Sequence, residues 1–277
     1  MKTPFLIIIA TTALAATAAA ADKPLGYQDT PIIPGTKWHV HDGERPQPTI
    51  VTPGKTFSDL AAAPSDAVVL FDGKDFSKWQ SGNGSEVKWK IEGDYMEVVP
   101  KTGIIRTKDQ FGDFQMHLEF ATPIQVSGDG QGRGNNGVNI FGRYEIQVLD
   151  SYNNKTYPDG QAGAIYGQTP PLVNSSRGPG EWQTYDIVFE APRWNAEGKL
   201  SKKAYITLLH NGVVVHNRRE VIGNTGHRSV GNYDKKQEKG PIELYEHGNP
   251  VRFRNIWIRP VTYPAPEDVA KGPETAN

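Results

Sequence analysis

The sequence predicts an all-β protein built as a sandwich of two antiparallel sheets. Glycine and proline are abundant, at 29 and 21 of 277 residues, and punctuate the chain at short intervals. Strings of alternating apolar and polar residues recur between them, and long amphipathic helical stretches are hard to find. Strands of this length and number, with no helices between them, each have an apolar face to bury, and a second sheet is what can bury it.

Residues 1–21 read as a secretory leader: Lys2, an apolar run from Phe5 to Ala10, then small residues ending in an Ala-x-Ala pattern. Export, to a bacterial periplasm or medium, is therefore expected. The chain has no cysteine, which excludes thiol catalysis, a disulfide scaffold and a lipid anchor through Cys. Formal net charge is −1 with neither sign clustered, so nothing points to nucleic acid or an anionic membrane surface. Residues 22–66 are rich in proline and without sustained periodicity, and read as an extended arm that wraps the domain or leads into it. His39 and His41 flank Val40 in this arm, a spacing that could make a metal pair on a strand; packing anchored by Trp38 is the simpler expectation.

Residues 67–262 carry the strand signals. Val68–Phe71 is a short buried strand, followed by strand patterns at 87–91, 95–99 and 103–107. In 111–122 the residues Phe114, Met116, Leu118 and Phe120 alternate with Gln115, His117 and Glu119, so His117 is expected on a strand surface, as is Asp186 further on. The Gly-rich loop 123–136 reads as flexible, lacking the acidic spacing of a calcium loop. Residues 181–190 are another strand, and Asn211-Gly212 turns a hairpin between 204–210 and 213–216. A polar loop over 220–240 precedes closing strands at 242–247 and 251–260. Trp89, Trp182 and Trp257 are expected in the core, and 263–277 as a disordered tail.

The stretch with most chemical content is GNNGVNIFGRYEIQVLDSY, residues 134–152. Ile140, Tyr144, Ile146 and Val148 share one face of a strand, and Asn139, Arg143, Glu145 and Gln147 share the other. A cation, a carboxylate and an amide at two-residue spacing make a candidate polar binding row, although a solvated sheet face would show the same alternation.

LFDGK (70–74) with Trp79, GRYEIQVLDSY, GAIYG (163–167), EWQTYDIVFEAPR (181–193), the Asn-Gly hairpin and GPIELYEHGNPVRFRNIWIRP (240–260) occur in an order that resembles the 3-keto-disaccharide hydrolase family. The likeness covers about Val68 to Val261. It implies a concanavalin-like jelly-roll sandwich and a carbohydrate substrate already oxidised at C3. A carbonyl at C3 acidifies the C2 proton, so a base, an electrophile for the C3 oxygen and a proton donor for the leaving group are required; elimination followed by water addition gives net hydrolysis. On that reading Glu145 is the candidate base, Arg143 or Arg254 the oxyanion partner and His247 the acid or base. Asn139, Gln147, Asp150, Tyr166 and Glu243 are candidate sugar ligands. A divalent metal is a candidate cofactor, with Asp150, Glu243 and His247 as its ligands.

Glu145 to Asp150 also has the outline of the E-x-D-x-x-E strand of retaining glucanases, with Gln147 in the middle and Asp150 at the end. Two carboxyls on one face would then require a bulge near Val148-Leu149. A carbohydrate-binding jelly roll without catalysis and a conventional glucanase are the competing readings.

Overall fold

A computed structural model describes residues 24–263, so the expected leader at 1–21 and all of the expected tail beyond Tyr263 lie outside the described residues. Two antiparallel sheets face each other as a jelly-roll sandwich, and no α-helix occurs among the described residues. The larger sheet runs in the order Val213–Glu220, Tyr205–His210, Gln183–Glu190, Phe114–Ala121, Arg252–Pro260, Tyr95–Glu97, Lys90–Glu92, with Val68–Phe71 also paired to Arg252–Pro260. The smaller sheet runs Trp79–Ser81, Ile105–Thr107, Ile242–Leu244, Asn136–Ile140, Tyr144–Val148.

The period-two pattern is realised where the sheets meet. Phe114, Met116, Leu118 and Phe120 from the larger sheet, with Tyr185, Ile187 and Phe189 beside them, enter one cluster with Val138, Ile140, Tyr144 and Ile146 from the smaller. Each large side chain so buried contributes about 1.5–3 kcal/mol.

The strand expected at 87–91 is displaced: pairing begins at Lys90, opposite Glu97, because the turn at Gly93-Asp94 sets the register. The strand expected from Gly103 starts at Ile105, and the last hairpin strand runs on to Glu220. The loop 123–136 holds a short 3-10 turn at Gly130–Gly132.

The outer faces of both sheets depart from the expectation of wet surfaces, because the arm covers them. Its first part packs on the smaller sheet's side: His41 N–H donates to Asp159, Arg45 to the Gln168 carbonyl and Gln47 to the Thr156 carbonyl. Thr49–Ile50 then pairs in parallel with Val173–Asn174, and residues 57–61 cross the larger sheet. There the Ala61 carbonyl accepts from Asn255 and from the Trp257 indole, and Ser58 donates to Asp186.

His117 and Asp186 are therefore not ordinary surface residues. His117 is fully buried, paired to Asp186 at 2.7 Å and next to Glu119 at 3.5 Å. Glu119 in turn accepts from Arg254, Asn255 and the Leu60 N–H. Trp89 joins the core as expected, and Trp257 is buried as well, stacked on His117 beneath the arm. Trp182 is not in the core: it is partly exposed, with the Arg254 guanidinium 4.1 Å from its ring.

Candidate active site

The site lies on the outer face of the smaller sheet, on the hairpin Asn136–Ile140/Tyr144–Val148. Phe141 and Gly142, both at positive φ (64° and 65°), make the turn, with Arg143 N–H closing onto the Ile140 carbonyl. In this hairpin Asn139 pairs with Glu145 and Gly137 with Gln147. Gly137 leaves the space that the Glu145 side chain fills: a Cβ there would stand 2.3 Å from Glu145 Oε1.

Two loops lie along the free edge of Tyr144–Val148. In one, Thr225 N–H donates to the Arg143 carbonyl, and the Thr225 hydroxyl accepts from Glu145 N–H. In the other, Tyr166 N–H donates to the Glu145 carbonyl and Gly163 N–H to the Gln147 carbonyl. These additions bury all five residues of Tyr144–Val148, which a solvated strand face would not allow.

A cleft of about 710 Å³ remains open over this hairpin, lined by Glu145, Gln147, Tyr166, Tyr245, His227 and His247 among others. The Glu145 carboxylate has no hydrogen-bonding or ionic partner among the described residues, and burial pushes its pKa up to about 8. The Tyr245 hydroxyl accepts from Asn139 and its pKa is pushed up to about 12, by burial first and by the Glu145 charge next. Burial, opposed by a hydrogen bond from Tyr157 and aided by Glu145, also raises Tyr166. Burial lowers His247, whose ring meets Tyr245 edge-on.

A set of amides completes the floor. Gln147 Nε2 donates to Gln131 Oε1 at 3.0 Å and to Asn135 Oδ1 at 3.2 Å, and Gln131 Nε2 donates to the Gly160 carbonyl at 2.8 Å. Gln147 Oε1 and Asn139 Oδ1 are buried without a partner among the described residues. A carboxyl that holds its proton near neutrality, beside phenolic hydroxyls and amides, suits proton transfer to or from a polyhydroxylated ligand.

The structure thus brings together Glu145, Gln147, Tyr166 and His247 in the cleft, with Asn139 one strand away beside Glu145. Other candidates lie elsewhere. Arg143 ends the turn and its guanidinium is engaged by Asp234 of the 223–240 loop. Arg254 belongs to the larger sheet, tied to Glu119 at 2.8 Å and Asp94 at 3.1 Å. Neither lines the cleft.

Asp150 follows the end of the strand and is held by Arg133 at 2.7 Å, so the glucanase outline places no second carboxyl beside Glu145. Glu243 sits against Gly142 and opposite Arg106, its pKa raised by burial with Arg106 opposing. Asp150, Glu243 and His247 therefore do not form one ligand set, and no cluster of three or more His, Asp or Glu arranged for a metal occurs among the described residues. The cleft residues missed by sequence reasoning, Gln131, Asn135, Tyr157 and His227, come from loops. Only the run of amides in 131–136 carried a signal for them, and its glycines suggested mobility instead.

Residues 66–259 match the model of the 3-keto-alpha-glucoside-1,2-lyase-like domain. The chain belongs to that family. A crystal structure of a glycosyl hydrolase candidate from Parabacteroides distasonis is similar at 44% identity, covering 78% of this chain and 93% of that one, with a TM-score of 0.71. Two further glycosyl hydrolase candidates from the same organism, at 20% and 22% identity, share the fold with TM-scores of 0.51, covering 71% and 70% of this chain and 94% and 99% of theirs. No curated protein matches. Family and fold together mark a carbohydrate-active protein of glycoside hydrolase type.

Proposed function

We propose that the cleft takes a 3-keto-glycoside and cleaves it by elimination across C1 and C2. The observation that carries this reading is the unpartnered, buried Glu145, the one buried carboxyl among the described residues that line the cleft; Asp129, which also lines it, is exposed, and Glu243 is two strands away, beyond Asn139. Two carboxyls are what direct glycoside hydrolysis needs; one base suffices when a ketone acidifies the neighbouring C–H.

Glu145 takes the C2 proton and the electron pair moves onto the C3 oxygen as an enediolate. The Tyr166 and Tyr245 hydroxyls are the donors for that oxygen, in place of Arg143 and Arg254. As the C3 carbonyl reforms, C1=C2 forms and the C1–O bond breaks. Glu145, which burial favours in its neutral form, returns its proton to the departing oxygen. Water added to the resulting enone, hydroxyl to C1 and proton to C2, completes net hydrolysis. His247, with its pKa lowered by burial, is a neutral hydrogen-bonding group for the leaving sugar.

The test is incubation of the protein with a 3-keto-glucoside and its unoxidised counterpart in D₂O. Release of the aglycone from the keto form alone, with deuterium at C2 of the hydrated product, is the expected result. Equal cleavage of the unoxidised glycoside, or product retaining protium at C2, overturns the mechanism; binding without turnover returns the protein to the class of carbohydrate-binding modules.

A further inference from the structure

Behind Tyr166 lies a buried pair that the mechanism above does not use. His41, from the arm, and Asp159, from the turn Pro158–Gly160, are both fully buried. The Asp159 carboxylate accepts the His41 backbone N–H at 2.9 Å through one oxygen and lies 3.3 Å from Nδ1 through the other. This fixes both the backbone and the ring of His41.

The ring is in turn stacked among the aromatic wall of the cleft. Its centroid is 4.2 Å from that of Tyr157, 4.7 Å from Tyr166 and 5.3 Å from His227. Those three residues line the cleft and are joined through Tyr166, whose hydroxyl is 3.1 Å from the Tyr157 hydroxyl and 3.3 Å from His227 Nδ1. His41 Nε2 has no hydrogen-bonding partner among the described residues.

His41 also has a backbone φ of 61°, a conformation that costs a β-substituted residue about 1 kcal/mol and that glycine adopts freely. The arm is shaped to hold it there. Tyr27 N–H donates to the His41 carbonyl at 2.9 Å, and Gly26 lies so close that a Cβ would stand 2.0 Å from that oxygen. A strained residue, fixed by a buried carboxylate and presenting its ring to the cleft wall, is better accounted for by what the ring supports than by local stability.

We propose that His41 and Asp159 are positioning residues. The arm inserts the His41 ring as the backing of Tyr157, Tyr166 and His227, and so sets where the Tyr166 hydroxyl stands relative to Glu145. The arm is then part of the active site rather than a leader. That Tyr166 matters to turnover rests on the proposed function; its placement by His41 does not.

His41→Gly is the informative variant, because it removes the ring at a backbone conformation suited to glycine and leaves a cavity of imidazole size. With uniformly ¹³C-labelled tyrosine, and the Tyr166 ring signal assigned through Tyr166→Phe, the expected result in full-length His41→Gly is a displaced and broadened Tyr166 signal that added imidazole restores. Turnover of a 3-keto-glucoside should fall about tenfold or more in kcat with KM little changed, as for a misplaced catalytic group, and recover with imidazole. Asp159→Asn should show the same spectral change in weaker form. An unchanged Tyr166 signal overturns the proposal whatever the activity, as does an imidazole-insensitive loss of kcat. A displaced and rescued signal in a protein whose wild type does not turn over the keto sugar upholds the positioning and overturns the function proposed for the cleft.

Discussion

Each outer face of the sandwich buries glutamate, Glu119 on the larger sheet and Glu145 with Glu243 on the smaller, and Glu119 and Glu145 behave in opposite ways. Glu119, on the larger sheet, loses solvation, but hydrogen bonds from His117, Asn255, the Leu60 N–H and Arg254 outweigh that loss and hold its pKa down to about 2. Glu145, on the smaller sheet, loses solvation and receives nothing in return, so its pKa rises to about 8. Burial therefore does not decide the state of a carboxylate; the donors around it do. The saturated glutamate fastens the arm to the sheet, and the unsaturated one faces a cleft with unspent proton affinity.

Glu145→Gln should separate function from stability most sharply. Activity on a 3-keto-glycoside should fall by about 10³-fold, within the range for loss of a general base. The stability effect should have the opposite sign. A carboxyl raised to about 8 contributes stability fully below its ordinary pKa, and this is lost as pH rises toward 8. The variant should therefore melt higher than the wild type at pH 8–9, with the difference shrinking toward pH 4. In the wild type kcat/KM should rise with pH to a plateau with a midpoint near 8, since only the ionised Glu145 can take a proton. A profile that instead falls through that midpoint would make Glu145 the acid.

Glu119→Gln should do the reverse. It leaves Arg254 and His117 without their buried carboxylate, a change that costs about 3 kcal/mol in comparable pairs. The carboxyl is depressed to about 2, so its contribution is present above the ordinary carboxylate pKa and is lost as pH falls from there toward 2. Denaturant midpoints should show the wild-type advantage at pH 7 and its loss over that acid window, while kcat per folded molecule stays at the wild-type value. A fall in kcat without a fall in stability would tie the larger sheet to catalysis and break the contrast between the faces.

How much of this contrast could be read from the chain depends on the distance over which each part is encoded. Alternation in Phe114–Phe120 and in Ile140–Val148 is local, so the strands, their inner faces and the candidacy of Glu145 and Gln147 were legible. The sign of each carboxyl's shift was not. It is set by contacts between residues far apart in sequence: Glu119 with Leu60 and Arg254, and Glu145 with the loops that bring Thr225 and Tyr166 over it. Arg143 fails as a site residue for a local reason that alternation conceals. It closes a turn rather than continuing the strand, and Asp234 takes its charge. His117 and Asp186 looked like surface because nothing in their strands reveals that residues 57–61 cross above them.

The smallest expected effect tests whether the Glu145 carboxyl must stand where it does. Gly137 is in a regular antiparallel pair opposite Gln147 and its φ is not in the left-handed region, so alanine there carries no backbone strain. The added methyl would, however, stand 2.3 Å from Oε1 and 2.9 Å from the carboxyl carbon of Glu145, inside any allowed contact. The side chain must leave that position, displaced from its present alignment with Tyr166 and Tyr245, while the hydrogen bonds of the hairpin are kept. Gly137→Ala should therefore lower kcat about tenfold with melting temperature nearly unchanged, because a displaced base loses alignment before the fold loses contacts. It should also lower the midpoint of the pH profile, since a carboxyl pushed toward the open cleft regains water and with it a more ordinary pKa. If the midpoint stays near 8 while kcat falls, the ionisation that limits turnover belongs to another group, and the pairing of Glu145 with the raised pKa no longer accounts for activity.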